Sequence, residues 1–345
     1  MAAELVFEDS LLEDPAALAA ADPVLRRLAE AGSRVRRESA DAARPLLSLD
    51  DGSRPRAVIA AGSEARFIRA MLEPVCPVPF VAWPAHGLPG WVGALDLVVV
   101  MASDGAEPGL VATVHEAVRR GSQLLIACPD SSLVAEHAGS RSTVLLPTTT
   151  ADPLSAAVVT LAGLHRMQLG PQVDPEAVAD ALDQVAADCS PFLDVSENPA
   201  KDLAMGLAEA QPLVWGGSVL AARASRRVAG ALRAASGRAA LAAEAEELLP
   251  ILESQVPRDP FADPFEDAAD ADRRPTLVLL DDGSQDSLVW RDLHRLRAAA
   301  EHQDVRVCTI SHHHGSDVER YVRLLQTGMF ASVYLAIGLG RYVDI

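Results

Sequence analysis

Between residues 95 and 129 the chain reads LDLVVVMASDGAEPGLVATVHEAVRRGSQLLIACP, and its apolar positions change period twice. Residues 97–102 form an unbroken apolar run, rich in Val and far short of a membrane span. Such a run predicts a strand buried on both faces of a parallel sheet. After a polar turn, Val111, Val114, His115 and Val118 recur at 3/4 spacing, predicting a helix that closes on Arg119, Arg120 and Gly121. A second apolar run, 123–128, predicts the next strand. Strand, loop, helix and strand make a βαβ unit with a right-handed crossover. Its loop, at a strand's carboxyl end and facing a helix N-terminus, is where such sheets hold ligands, phosphates commonly among them.

The same alternation extends to both sides. Residues 1–45 read as helical, with Leu18, Val24, Leu25 and Leu28 as the apolar positions and Pro23 at a helix start. Strands are predicted at 57–61, 78–83 and 143–146. Helices are predicted around Phe67, Ile68, Met71 and Leu72, near 131–137, and from 153 to about 168. Residues 171–210 read as mainly helical, and then the pattern restarts. A strand at 212–215 runs into Gly216-Gly217-Ser218 and a helix over 219–235; strands follow at 276–280 and 305–310, and a helix over 316–326. The likeness of AAGSEARFIRAML to VWGGSVLAARASRRVAGAL suggests two copies of one domain, placing Ser63 and Ser218 at equivalent positions. The expected organisation is an N-terminal helical segment (1–50), a first domain (51–170), a helical bridge (171–210) and a second domain (211–345). The second domain would carry an acidic, Pro-punctuated surface loop over 254–275 and a C-terminal helix. The fold class is α/β, two doubly wound parallel sheets with additional helices.

Composition narrows the chemistry. With 49% hydrophobic but only 4% aromatic residues, the cores must be built of Ala, Val and Leu. A formal net charge of −18 argues against nucleic acid or an anionic membrane as the main partner. Lys201 is the only lysine, so a Schiff base or a lysine proton donor could come from nowhere else. Cys76, Cys128, Cys189 and Cys308 are scattered, with no CxxC pair, and read as free thiols of a reducing compartment. No apolar run reaches the ~20 residues a span requires, and the acidic N-terminus lacks a signal pattern. A cytoplasmic protein is expected, with no cofactor and no metal.

Five stretches, taken in order, carry a resemblance: AAGSEA, the unit over 98–127, ENPAKDLA at 197–204, VWGGSVLAARASRR, and SVYLAIGLG at 332–340. Together they resemble a tandem pair of sugar isomerase (SIS) domains, and within those the bifunctional phosphoglucose/phosphomannose isomerases of a divergent actinobacterial branch. The resemblance implies two SIS domains sharing a phosphosugar site, usually completed by a second subunit, and hence a homodimer. It also implies aldose–ketose isomerisation, which needs a phosphate cradle, a carboxylate base and a group for ring opening.

The family's cradle is a loop of the form SxSGNT. Aligned on Gly105, its serines fall on Ala102 and Asp104 and its threonine on Glu107, leaving Ser103 as the loop's one hydroxyl. Two carboxylates beside a phosphate dianion cost energy. A structural alternative makes Asp104 the cap of the following helix and Glu107 a complement to its dipole. Gly62 and Ser63 match the family's glycine-serine turn, and Thr148, Thr149 and Thr150 offer further hydroxyls, as ligand contacts or as caps. The family's base position falls near Arg233 or Ala234, no His-Asn pair follows, and the late lysine is absent. Arg226 lies in the family's arginine region, where it could bind an anion or form a helix-surface salt bridge. Glu244 and Glu246, in an Ala-rich stretch expected to be a solvated helix face, are the substitute carboxylates.

His312, His313 and His314 follow a predicted strand, as a solvated turn or as proton-transfer groups; adjacent histidines point apart and rarely share a metal. The first expectation is therefore a phosphosugar isomerase-like protein with a degenerate catalytic site, binding a sugar phosphate or related ligand, or acting as a regulator. The other is an active glucose-6-phosphate/mannose-6-phosphate isomerase using Glu244 or Glu246 as base and His312 or His314 for ring opening.

Overall fold

The computed structural model describes residues 6–49, 54–84, 86–256 and 274–341. The chain forms two compact units, one of residues 31–180 and the other of residues 1–30 with 181–345. Most of the expected acidic loop, residues 257–273, lies outside the described residues.

Helix α1 (Pro15–Ala29) starts on Asp14, which accepts the Ala17 N–H at 2.7 Å. Pro23 lies inside this helix rather than at a start. It removes only the bond to the Ala19 carbonyl, and both residues are exposed, so water can replace that bond.

The 31–180 unit begins with α2 (Ala31–Leu47) and is built on five parallel strands, β1 (Val58–Gly62), β2 (Phe80–Ala82), β3 (Leu97–Met101), β4 (Gln123–Cys128) and β5 (Thr143–Pro147). They lie in the order β2-β1-β3-β4-β5. All five residues of β3 are buried, each worth roughly 1.5–3 kcal/mol. That is why this run reads as continuously apolar rather than alternating. One face of the sheet (Ile59, Val98, Val100, Leu124, Ile126) packs on α4 (Pro108–Arg119) and α5 (Leu133–His137). The other carries α3 (Ala65–Leu72), α6 (Pro153–Arg166) and α2. The buried stripe of α4 is Gly109, Leu110, Thr113, Val114 and Ala117; of the expected set, Val114 is buried, Val111 and Val118 pack partly buried against the same core, and His115 is exposed.

Beyond α7 (Pro175–Asp188), α8 (Pro199–Gly206) leads into the second sheet. Its strands are β6 (Gln211–Gly216), β7 (Leu241–Ala242), β8 (Pro275–Asp281) and β9 (Arg306–Ser311), all parallel, in the order β7-β6-β8-β9. Residues 212–310 thus do form a parallel sheet, as the repeated Gly-Ser signature suggests. One face packs on α10 (Ala245–Glu253) and α11 (Ser287–His302) through Trp215, Leu248, Leu279 and Leu296. The other packs on α8, α9 (Val219–Ser236) and α12 (Asp317–Gly338). Two elements differ from expectation. The stretch after α9 is not one Ala-rich helix: Gly237, left-handed at φ +67°, ends α9, and β7 intervenes before α10. And α12 continues unbroken for 22 residues, fusing the predicted helix with the C-terminal apolar run.

Candidate functional site

In the first sheet the strand order reverses between β1 and β3, and ligands bind in the crevice outside the carboxyl ends of strands at such a point. The register sets Gly62 beside Met101. Gly62 has φ +111°, and a Cβ there would lie 2.2 Å from the Met101 carbonyl oxygen, so only glycine passes. Ser63 follows, exposed at the mouth of the crevice.

Across from it the β3–α4 loop turns at Gly105 (φ +68°), where a Cβ would meet the Ser132 side chain at 2.2 Å. The Gly105 carbonyl accepts the Val134 N–H at 3.2 Å, which backs the loop onto the start of α5. Ser103 is half-buried; Asp104 and Glu107 are exposed. Asp104 does not cap α4. Its Oδ1 accepts the Ala106 N–H at 3.1 Å, a turn closed within the loop. The N-cap position belongs to Glu107, whose side chain makes no capping bond. The loop therefore presents two exposed carboxylates beside one half-buried serine. Arg66, in the first turn of α3, is exposed and has no ion-pair partner among the described residues. Sequence reasoning passed over it; a base in the helix turn right after Gly-Ser was the available signal.

The Thr148–Thr150 hydroxyls lie at the carboxyl end of β5, and an acid from α2 reaches them. Glu38, fully buried, accepts the N–H groups of Thr149 (2.9 Å) and Thr150 (2.7 Å) and the Thr150 hydroxyl (2.5 Å). Asp41 takes the Thr149 hydroxyl at 3.1 Å. The anion-binding groups of this turn are thus held by the protein's own carboxylates. The Thr148 hydroxyl is buried with no partner among the described residues.

The second sheet reverses between β6 and β8. Ser218 caps α9 through the Ala221 N–H (3.0 Å) and donates its hydroxyl to Asp282, which is 8% exposed. Asp281 accepts the Gly283 N–H at 3.0 Å and, with its other oxygen, lies 3.1 Å from Nε2 of His313. His312 contacts the Thr327 hydroxyl at 3.3 Å through Nε2. Burial first, and then the Arg323 charge, push His312 down to about 4. His314 is exposed.

Of the remaining candidates, Glu244 and Glu246 sit at the start of α10 and Arg226 lies within α9. Glu244 is the N-cap of α10, in a capping box with Glu247, and pairs with Arg226 at 3.1 Å. Glu246 is exposed and 3.5 Å from Arg295. The geometry gives both carboxylates and Arg226 surface partners. Asp281 and Asp282, which sequence reasoning missed, occupy the strand end instead. Among the described residues no three His, Cys, Asp or Glu side chains gather as a metal site.

Residues 196–342, the second sheet with its helices, match the family model of the bacterial phospho-glucose isomerase C-terminal SIS domain. The fold is that of the SIS-domain phosphosugar isomerases. Three solved structures illustrate the likeness. A glucose-6-phosphate isomerase like protein from Thermus thermophilus is 15% identical, with 96% of this chain and 94% of that one covered at a TM-score of 0.54. The C-terminal domain of glucosamine-fructose-6-phosphate aminotransferase from Francisella tularensis is 13% identical over 92% and 96%, at 0.61. Tagatose-6-phosphate ketose/aldose isomerase from Escherichia coli is 16% identical over 92% and 90%, at 0.59. At such identities the likeness concerns the fold alone. No curated protein matches the chain. Among the described residues no helix is long and apolar enough to cross a membrane.

Proposed function

We propose that this protein binds a sugar phosphate or a related small ligand at the β1/β3 crevice and has lost isomerase turnover. The observation that carries the reading is the crevice itself. Gly62 and Gly105 hold two loops at the strand reversal with Ser63 and Ser103 available, while the acids of the β3–α4 loop are exposed and Asp104 is bonded within its own turn. In this reading Ser63, Ser103 and the α4 N–H groups hold the ligand's oxygens, and Arg66 compensates its charge. Asp104 and Glu107 weaken binding of a dianion and favour a ligand with a cationic group, an amino-sugar phosphate above all. Thr149 contributes nothing, being bonded to Glu38 and Asp41. The protein acts as a cytoplasmic homodimer in a regulatory or scaffolding role. A thermal-shift screen over sugar phosphates and amino-sugar phosphates tests this, because a ligand of the folded state raises its melting point. No shift with any of them, at millimolar concentration, sinks the reading.

A second reading keeps catalysis, and one contact favours it: Asp281 orients the ring of His313, as a carboxylate orients a general base. Turnover of glucose 6-phosphate or mannose 6-phosphate above about 1 s⁻¹ in a coupled assay, lost in His313→Ala, would establish it. Glu244 and Glu246, tied to Arg226 and Arg295, are poorer bases for that chemistry than Asp281 with His313.

A further inference from the structure

A groove lined by residues of α1 and the Pro191–Asp194 loop is built around the chain's one lysine. Lys201, on α8, is 1% exposed. Its ammonium donates to the carbonyls of Pro191 (3.0 Å) and Leu193 (2.8 Å) and lies 5.6 Å over the Tyr334 ring. Burial lowers its pKa, against the pull of Glu13 and Asp194. Two carbonyls turned inward, with one residue between them, leave that residue's side chain facing out. Phe192 is accordingly 93% exposed. An aromatic ring so displayed is the kind of feature that anchors a protein contact. Beside it lies a groove of about 680 Å³ between the Pro191–Asp194 loop and one stripe of α1, with Leu18 and Leu25 on its wall. That stripe, Pro15 to Arg26, is about 16 Å long at 1.5 Å per residue, the length of three helical turns.

The charges decide what fits. The groove's cations are spoken for: Arg26 is paired with Asp22 at 3.0 Å, and Lys201 is buried on its carbonyls. Asp194 is exposed with its carboxylate unbonded among the described residues, and Glu13 is exposed, using one oxygen on the Val195 N–H at 3.3 Å. The open face is apolar and acidic. A second copy would bring the same acids, on a chain of net charge −18. We propose that this groove and Phe192 dock an amphipathic helix of another protein, apolar at 3/4 spacing and flanked by Arg or Lys.

The test uses the full chain and a fluorescein-labelled synthetic 15-residue helix, with Leu at 3/4 spacing and Arg beside it. Fluorescence anisotropy should show saturable binding, at least tenfold weaker with Phe192→Ser or Ala19→Arg and several-fold weaker with Asp194→Asn. Both Phe192 and Ala19 are exposed, so these variants should melt like the wild type, which circular dichroism checks. Equal binding by Phe192→Ser, or by a peptide with Glu in place of Arg, overturns the proposal. So does light scattering that shows a dimer dissolved by Phe192→Ser, which assigns the face to a second copy. Retention on anionic vesicles that Phe192→Ser abolishes would assign it to a membrane, and overturns the proposal equally.

Discussion

At the carboxyl end of β1, Gly62 is followed by Ser63, exposed and bonded to no partner among the described residues. At the carboxyl end of β6, Gly216 and Gly217 lead to Ser218, whose hydroxyl is bonded across the sheet reversal to Asp282. Both crevices arise from the same strand–Gly–Ser–helix phrase and the same reversal of strand order. What differs is the serine's place, Ser218 being the N-cap of α9 and Ser63 standing one residue before the N-cap Glu64 of α3, and the acid after the neighbouring strand. Asp104 folds back on its own loop, whereas Asp282 reaches across and takes the serine. A crevice at a strand reversal is therefore an opportunity set by topology, and one carboxylate decides whether it stays open or becomes part of the scaffold.

The features common to both crevices should be the costliest to change. In Gly62→Ala a Cβ would sit 2.2 Å from the Met101 carbonyl oxygen at φ +111°; in Gly216→Ala it would sit 2.3 Å from the Ala221 backbone. Each should destabilise its unit by ~3 kcal/mol or more in urea unfolding, Gly62→Ala the more, because its backbone is strained as well. If either were neutral, the shared geometry would not be a requirement of the phrase.

The next effect belongs to the second sheet. His312 is half-buried, and its pKa is pushed down to about 4, below the ordinary 6.5. Between those values the unfolded chain binds the proton and the folded one does not. Stability from this group is thus complete above about pH 6.5 and is lost as pH falls towards 4, on the order of 2 kcal/mol. His312→Asn should flatten the fall in unfolding free energy between pH 7 and pH 5. An unchanged slope would mean that other groups carry it.

Asp282→Ala strips acceptors from Ser218 and from the Ser284 N–H (3.2 Å) in a buried place, costing ~1–3 kcal/mol. Asp104→Ala, at an exposed turn, should stay within ~0.5 kcal/mol. Equal costs, measured by denaturant midpoints, would erase the distinction between a tied and an open crevice.

Much of this was legible in the residues. Buried parallel strands declare themselves as unbroken apolar runs, and β3 and β4 were readable for that reason. The two-residue β7 carries no period at all, so the strand between α9 and α10 went unread, although Gly237 marks the end of α9. The site was harder to read. Asp281 and Asp282 stand just past the apolar run of β8, where acids usually mean a turn. Glu38 shares the inward stripe of α2 with Val35 and Ala42, but a carboxylate there reads as solvent-facing by its residue type, and three donors from β5's end are what hold it inside. Contacts more than a hundred residues apart leave no local signature.

The smallest expected effect concerns the open crevice. Asp104→Ser with Glu107→Thr removes two like charges from the loop. It should tighten inorganic phosphate binding about fivefold, roughly 1 kcal/mol, with no gain in isomerase turnover. Calorimetric titration decides it: unchanged affinity would place the ligand away from this loop.

The solitary Lys201 also gives the molecule a built-in clock. Amine-reactive reagents find one side chain in 345 residues, and that amine lies shut under the Pro191–Asp194 loop. Its acylation must await an opening of the loop. The rate at which the Lys201 adduct accumulates, separated from that of the α-amino group by peptide mapping, therefore reports loop opening. Compared with the rate of global unfolding, it tells local fluctuation from collapse of the whole unit.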